Sequence, residues 1–236
     1  MSRAIAKADA SERTEADRTV IAVAKRPGLP GGKRDENRRQ KSDALIAAAL
    51  PLFLAHGVEA VTIDDITRAA KAAKGSFYRY FASKDALVAA LVAPAATDVD
   101  GALARCADRL ATAKDRGSLF GAYQELALAL VPLALYRLDV MRLYLQESRG
   151  PAVGARIPLV ALSTRIDEGA IRLTTIAVEH GLLDVADPRI SALAVVGAIE
   201  RLAFSMLSGR LDASPVDIVA TLIRMVLDGI AKRREP

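Results

Sequence analysis

Residues 62–87 read TIDDITRAAKAAKGSFYRYFASKDAL, and the fold turns on how this stretch divides. Thr62-Ile-Asp-Asp65 has the spacing of a capping box, in which a hydroxyl and a carboxylate three residues apart satisfy each other's backbone donors. A helix therefore begins at Thr62 and ends near Ala70. After a break at Lys71-Ala72, a second short helix covers about Lys74 to Tyr80. Ser83 then caps another helix that runs toward Pro94, with Asp85 in its positive first turn. Two short helices joined by so tight a break form a helix-turn-helix, whose second member is small enough to enter a major groove. The charges agree. Between Ile66 and Lys84 stand Arg68, Lys71, Lys74, Arg79 and Lys84 with no acid among them, interleaved with Phe77, Tyr78, Tyr80 and Phe81. Basic side chains neutralise phosphates, and short polar ones at the front of a helix reach base edges.

The surrounding residues extend the pattern: Ala48-Ala-Leu-Pro-Leu-Phe53, His56-Gly57, Thr62, Ile66, Ala69-Ala70, Lys74-Gly-Ser-Phe-Tyr-Arg-Tyr-Phe81 and Ser83-Lys-Asp-Ala-Leu87. Over residues 48–87 the chain resembles the DNA-binding domain of the TetR (tetracycline-repressor-like) family. The later residues match only in helical layout. The resemblance implies a repressor released from a palindromic operator in double-stranded DNA by a small effector. It implies base contacts from Lys74, Gly75 and Ser76, phosphate clamps at Tyr78 and Lys84, and either contact from Arg79 and Tyr80. Thr62 is a further phosphate candidate, because free N–H groups at a helix start favour an anion. Phe77 and Phe81 are expected in the core. The chain departs from the family pattern in three places. Lys71 stands where Gly is usual in the turn, Ala73 stands where a Ser or Thr cap is frequent, and Pro51 lies inside the first helix. The last removes one hydrogen bond at a cost of roughly 3 kcal/mol unless packing compensates.

Elsewhere apolar residues recur at helical spacing and no stretch alternates with period two, so the fold reads all-α. The first helix spans about 38–56, with Gly57 supplying a left-handed residue past its end. The later helices span roughly 98–115, 118–136, 139–148, 158–180, 188–208 and 214–232. Three regions follow: a flexible basic N-terminal arm over 1–37, the DNA-binding domain over 38–87, and an effector-binding and dimerisation domain over 88–236. The net charge of +5 comes from 33 Lys+Arg against 28 Asp+Glu and sits wholly in the first 41 residues, which hold 11 basic and 6 acidic side chains. The arm residues Lys33, Arg34, Arg38 and Arg39 could therefore enter a minor groove beside the recognition helix, or merely solvate the terminus.

The last two helices are apolar almost all round, and such helices must be covered on nearly every side. One subunit covers one side, so a C2 homodimer is expected through a four-helix bundle of residues 188–232. Its interface would use Val196, Ile199, Phe204, Leu207, Val219, Leu222, Ile223 and Val226. With few aromatics beyond residue 87 and no tryptophan, an aromatic cage for planar cations is disfavoured. A small lipophilic or weakly acidic effector is expected, with Tyr123, Arg142, Tyr144, Gln146 or Arg165 as polar contacts in an apolar pocket.

Catalysis and metal binding find little support. His56 and His180 each precede a Gly at a helix end, Cys106 is the single cysteine, and these three cannot form a zinc site. Gly28 to Lys33 lacks the first Gly, the final Ser/Thr and the preceding strand of a phosphate-binding loop. No enzyme activity and no cofactor are expected. Uninterrupted apolar runs stop at about a dozen residues, short of the ~18 of a membrane span, and no secretory signal is evident. The reading is a cytoplasmic chain without membrane contact. The alternative is a helical protein-interaction module that has lost specific DNA binding.

Overall fold

The computed structural model describes residues 32–230, all helix and connecting turns. The helices are α1 (Lys33–His56), α2 (Ile63–Ala69), α3 (Lys74–Tyr80), α4 (Lys84–Thr112), α5 (Arg116–Tyr136), α6 (Leu138–Glu147), a 3-10 turn (Gly154–Arg156), α7 (Ile157–Glu179), α8 (Pro188–Leu207) and α9 (Pro215–Ile230). Contacts divide the chain into residues 1–39 and 40–236. Residues 1–31, most of the expected arm, lie outside the described residues. The rest of the expected arm is corrected: Lys33, Arg34, Arg38 and Arg39 stand in the opening turns of α1. Asp35 and Glu36 suit the positive end of that helix, and their N–H groups donate to the Gly32 carbonyl at 2.7 and 3.2 Å. Acids placed there support a helix start that a count of basic residues overlooks.

Within residues 40–236, two clusters organise the core. Leu45, Ala49 and Phe53 of α1 meet Ile66, Phe77 and Phe81, then Leu87 and Leu91 of α4, and finally Leu143, Leu159 and Leu162. The helix-turn-helix therefore shares its core with α6 and α7. A second cluster joins Cys106 and Leu110 of α4 to Leu119 and Ala122 of α5 and Leu173 and Ala177 of α7. Cys106 is buried, and burial pushes its thiol up to about 12, so it is a packing residue with little thiolate chemistry.

The expected break in α4 near Pro94 is corrected as well, since one helix runs from Lys84 to Thr112. Pro51, Pro94 and Pro132 all lie inside helices and all are exposed. Each proline leaves one carbonyl without its partner, and an exposed position lets water satisfy it while the buried stripe continues unbroken. α5 begins at Arg116 because Asp115 and Ser118 form a capping box, and the bonds from Ser118 hold the Asp115 carboxyl below the usual carboxylate range.

α4 and α8 each contain an 18-residue window long and apolar enough to cross a membrane, which isolated polar residues conceal from a search for unbroken runs. In α4, 44% of that window is buried within the chain, where it packs against α5 and α7. In α8 only 11% is buried. Ile190, Leu193 and Phe204 of α8, with Val216 and Met225 of α9, are exposed.

Lys71 has φ 51°, the left-handed region that its place in the turn demands. A side chain with a Cβ is strained there by roughly 1–2 kcal/mol. Lys71→Gly should accordingly raise the unfolding free energy only slightly, by about 0.5 kcal/mol in a urea melt, because the relieved strain is partly offset by the roughly 0.4–1 kcal/mol of entropy that glycine adds to the unfolded chain.

Candidate nucleic-acid interface and ligand cavity

α2 starts on the expected capping box. The Thr62 N–H and hydroxyl both donate to Asp65 Oδ2, at 3.0 and 2.6 Å, and the Asp65 N–H donates to Thr62 Oγ1 at 3.2 Å. These bonds hold the Asp65 carboxyl below the usual carboxylate range. Thr62 is thus committed to the cap, and a carboxylate already occupies the position a phosphate would take.

α3 is mounted by aromatics. Phe77 is fully buried, meets the ring of Tyr78 edge-on at 5.5 Å and lies 5.7 Å from Phe81. With Phe77 and Phe81 in the core, Lys74, Gly75, Tyr78 and Arg79 face outward, and Ser76 and Tyr80 are half-buried. Tyr78 is 53% exposed, large for an aromatic without an outside partner. Nothing lies within 4 Å of where a Gly75 Cβ would stand, so the free chain has no steric need of glycine there. Ala73 precedes α3 without a side-chain cap bond, as its methyl dictates.

The cations are held in different ways. Lys74 Nζ pairs with Asp64 at 2.9 Å and Arg68 with Asp65 at 3.0 Å, all four groups well exposed. The bond to Asp64 and its charge raise the Lys74 ammonium above its ordinary value. Such exposed pairs are weak, so a phosphate can displace the carboxylate. Lys84 is fixed otherwise, donating from Nζ to the carbonyls of Glu59 and Val61, each at 2.9 Å. An ammonium has three donors, so the third remains for an anion. Arg79 and Lys71 form no ion pair among the described residues.

The segment that receives Lys84 also reaches α6. Glu147, buried at the end of α6, accepts from the Val58 N–H at 3.2 Å and from Arg156 Nε at 2.9 Å. Glu59 accepts from the Arg156 backbone N–H at 3.1 Å. Gly57 adopts φ 80°, and a Cβ on it would come within 3.1 Å of Glu147 Oε1.

A cavity of about 370 Å³ lies among α4 to α9 and is almost wholly apolar, walled by residues such as Val99, Leu126, Leu130, Leu162, Val195 and Leu222. Tyr123 and Tyr144 line it. The other three residues expected there do not: Arg142 pairs with Asp139 on the surface, Arg165 pairs with Asp100, and Gln146 is exposed. All three fall on the outer faces of α6 and α7, a distinction that helical spacing alone does not make. Glu200 went unrecognised. It lines the cavity, its side chain is 13% exposed, and its Oε1 accepts from the Tyr144 hydroxyl at 2.5 Å while its Oε2 pairs with Arg149. The available signal was a lone carboxylate in the otherwise apolar stretch of α8. Burial drives the hydroxyls of Tyr123 and Tyr144 upward, and the Glu200 bond adds to the effect at Tyr144.

Two of the dimer assignments, Val196 and Leu222, need correction. Val196 and Leu222 are buried within one chain, and with Ile199, Val219, Ile223 and Val226 they line the cavity. Leu207 is half-buried, and Phe204 and Ile199 are exposed. An all-round apolar helix does not disclose which side its own subunit covers. The end of the expected bundle, residues 231–232, lies outside the described residues.

Residues 45–91 match the model of the tetR family of bacterial regulatory proteins. The HTH-type transcriptional regulator TcmR of Streptomyces glaucescens is 42% identical over 59 residues, 25% of this chain and 26% of that protein. The chain matches less than a third of the length of its curated relatives. Among solved structures, native NalD, the secondary repressor of the MexAB-OprM multidrug efflux pump in Pseudomonas aeruginosa, superposes with a TM-score of 0.63 at 19% identity, over 83% of this chain and 99% of that one. FadR of Bacillus subtilis in complex with stearoyl-CoA gives 0.60 at 14% identity, over 80% and 98%. These two likenesses are of fold.

Proposed function

We propose that this chain, whose residues 45–91 match the model of the tetR family of bacterial regulatory proteins, is a homodimeric transcriptional repressor, released from a palindromic operator by a small lipophilic effector. The observation that carries this reading is the outward face of α3, where Lys74, Gly75, Tyr78 and Arg79 stand exposed on a buried Phe77 anchor beside the tethered ammonium of Lys84. Lys74 and Ser76 read bases, Gly75 lets the backbone approach, and Tyr78 and Lys84 hold phosphates, with Arg79 and Tyr80 supporting either contact. Thr62 serves chiefly as the cap that fixes α2. Lys33, Arg38 and Arg39, exposed cations of α1, serve flanking phosphates.

Dimerisation uses the exposed α8 and α9 face of Ile190, Leu193, Phe204, Val216 and Met225. Two recognition helices about 34–36 Å apart then read successive major grooves. Release follows α6. Tyr144 of that helix faces the cavity, and Glu147, one turn later, holds Val58 at the start of the segment whose carbonyls hold Lys84. A ligand that shifts α6 thereby shifts the phosphate clamp.

Fluorescence anisotropy with labelled duplexes tests the interface. Gly75→Ala should fold as well as the parent or better, since helical alanine gains up to about 1 kcal/mol over glycine, yet lose operator affinity. Tyr78→Ala and Lys84→Ala should weaken operator and non-operator DNA alike; Lys84→Ala should also flatten the salt slope by about 1, whereas Tyr78→Ala, which removes no charge, should leave the slope nearly unchanged. Ser76→Ala and Lys74→Ala should change sequence preference. Parent-like DNA binding in both Tyr78→Ala and Lys84→Ala would remove the clamp from the account.

A further inference from the structure

The cavity's polar pole has a sign. Glu200 reaches its wall from α8, with Oε1 on the Tyr144 hydroxyl and Oε2 on Arg149. The Arg149 side chain is 70% exposed, so its guanidinium can return to water at small cost. Glu200 is nearly buried and cannot. The charge of Glu200 is felt at Asp167, whose carboxyl is raised by burial first and by Glu200 second, with Arg149 opposing. Tyr144 also bonds Ser163, so its hydroxyl is already engaged. Among the lining residues the cation is Arg137, which is 40% exposed and lies 3.7 Å from Asp98. The interior therefore carries a carboxylate whose present counter-ion is the more replaceable partner, while the rim cation has an acid of its own.

We propose that the cavity takes a lipophile whose single polar head is a cation or hydrogen-bond donor, an alkylammonium above all, seated on Glu200 in place of Arg149. The apolar walls receive the tail, and Tyr144 keeps Glu200 Oε1 aimed inward. A cavity of about 370 Å³ with almost wholly apolar walls has room for an extended aliphatic tail. An anionic head would meet the Glu200 carboxylate, while the one cation among the lining residues, Arg137, already faces Asp98, so of the two effector types expected from sequence the weakly acidic one is disfavoured. The inference deepens the regulator reading and rests on it only in treating this cavity as the effector site.

Calorimetric titration of the full chain with decylammonium, decanol and decanoate tests it. Decylammonium should bind at least about tenfold tighter than decanoate, with decanol between them, a charge-assisted bond being about twice as strong as a neutral one. Glu200→Gln, checked for parent-like helicity and melting, should cost decylammonium about tenfold while leaving decanol nearly unchanged. Equal or tighter binding of decanoate, or a Glu200→Gln protein that keeps the parent's head-group preference, overturns the proposal. If that variant fails to fold, the head-group series on the parent still decides. Binding of none of the three also overturns it, and DNA affinity, measured separately without ligand, tells that failure apart from failure of the regulator reading.

Discussion

Glu147→Ala should destabilise the chain by about 3 kcal/mol or more, the largest loss expected from any single polar change. Breaking a buried ion pair from one side typically costs about 3–5 kcal/mol, because the partner is left uncompensated. Here Arg156 is 19% exposed on its side chain and can recover part of its hydration, which places the effect toward the lower end. The Val58 N–H loses its acceptor in the same change, and an unsatisfied buried donor adds about 1–3 kcal/mol. Glu147→Gln keeps an acceptor for Val58 and removes the charge, so it should fall between the parent and Glu147→Ala. Urea melts of the three proteins check the order. Because Glu147 ties α6 to the segment that holds Lys84, Glu147→Gln should also loosen the dependence of DNA affinity on ligand, which anisotropy with and without decylammonium would register.

The second large effect concerns association. A chain carrying both Leu193→Asp and Phe204→Asp should sediment as a monomer and lose at least about a hundredfold in operator affinity, since one half-site supplies too few contacts for specific binding. Both side chains are exposed in the single chain, so their replacement leaves the monomer's core intact and its melting curve close to that of an isolated parent subunit. Leu222→Asp is not an equivalent test. Leu222 is buried against the cavity, and an aspartate there would unfold the chain whether or not it dimerises. An intact dimer in the double variant would move the interface away from α8.

The helix-turn-helix was legible in the sequence because its signals are local. The Thr62–Asp65 spacing, the break at Lys71 and the alternation of basic and aromatic residues over 74–81 each act within a few residues, and the structure realises the cap, the positive φ and the buried Phe77 that they imply. The helix limits beyond residue 112 were legible because their signals are local too: α8 and α9 begin on Pro188 and Pro215, a residue that a first turn tolerates. The misreadings are tertiary. Pro94 has the local appearance of a stop, yet α4 continues through it because both sides of the proline bury the same stripe, Leu91 and Val92 before it and Ala95 and Val99 after it. Arg142, Gln146 and Arg165 share helices with true cavity residues but face outward, and nothing in a single sequence fixes the rotation of α6 or α7 against the cavity. Val196 and Leu222 look like interface residues because apolar character does not say which molecule does the covering. Glu200 carries its meaning only through Tyr144 and Arg149, 56 and 51 residues away.

The central claim is that two copies of the α3 face read a symmetric DNA site. Its most direct test is selection of duplexes bound by the full chain from a random pool, with the retained affinity followed as salt is raised. A palindromic consensus is expected, with half-sites about one helical turn apart, near 34–36 Å or a multiple of it, and affinity that falls steeply with salt as counterions are exchanged for Lys and Arg. A pool that yields no consensus, together with weak binding that salt leaves unchanged, would contradict it and leave the chain a helical interaction module.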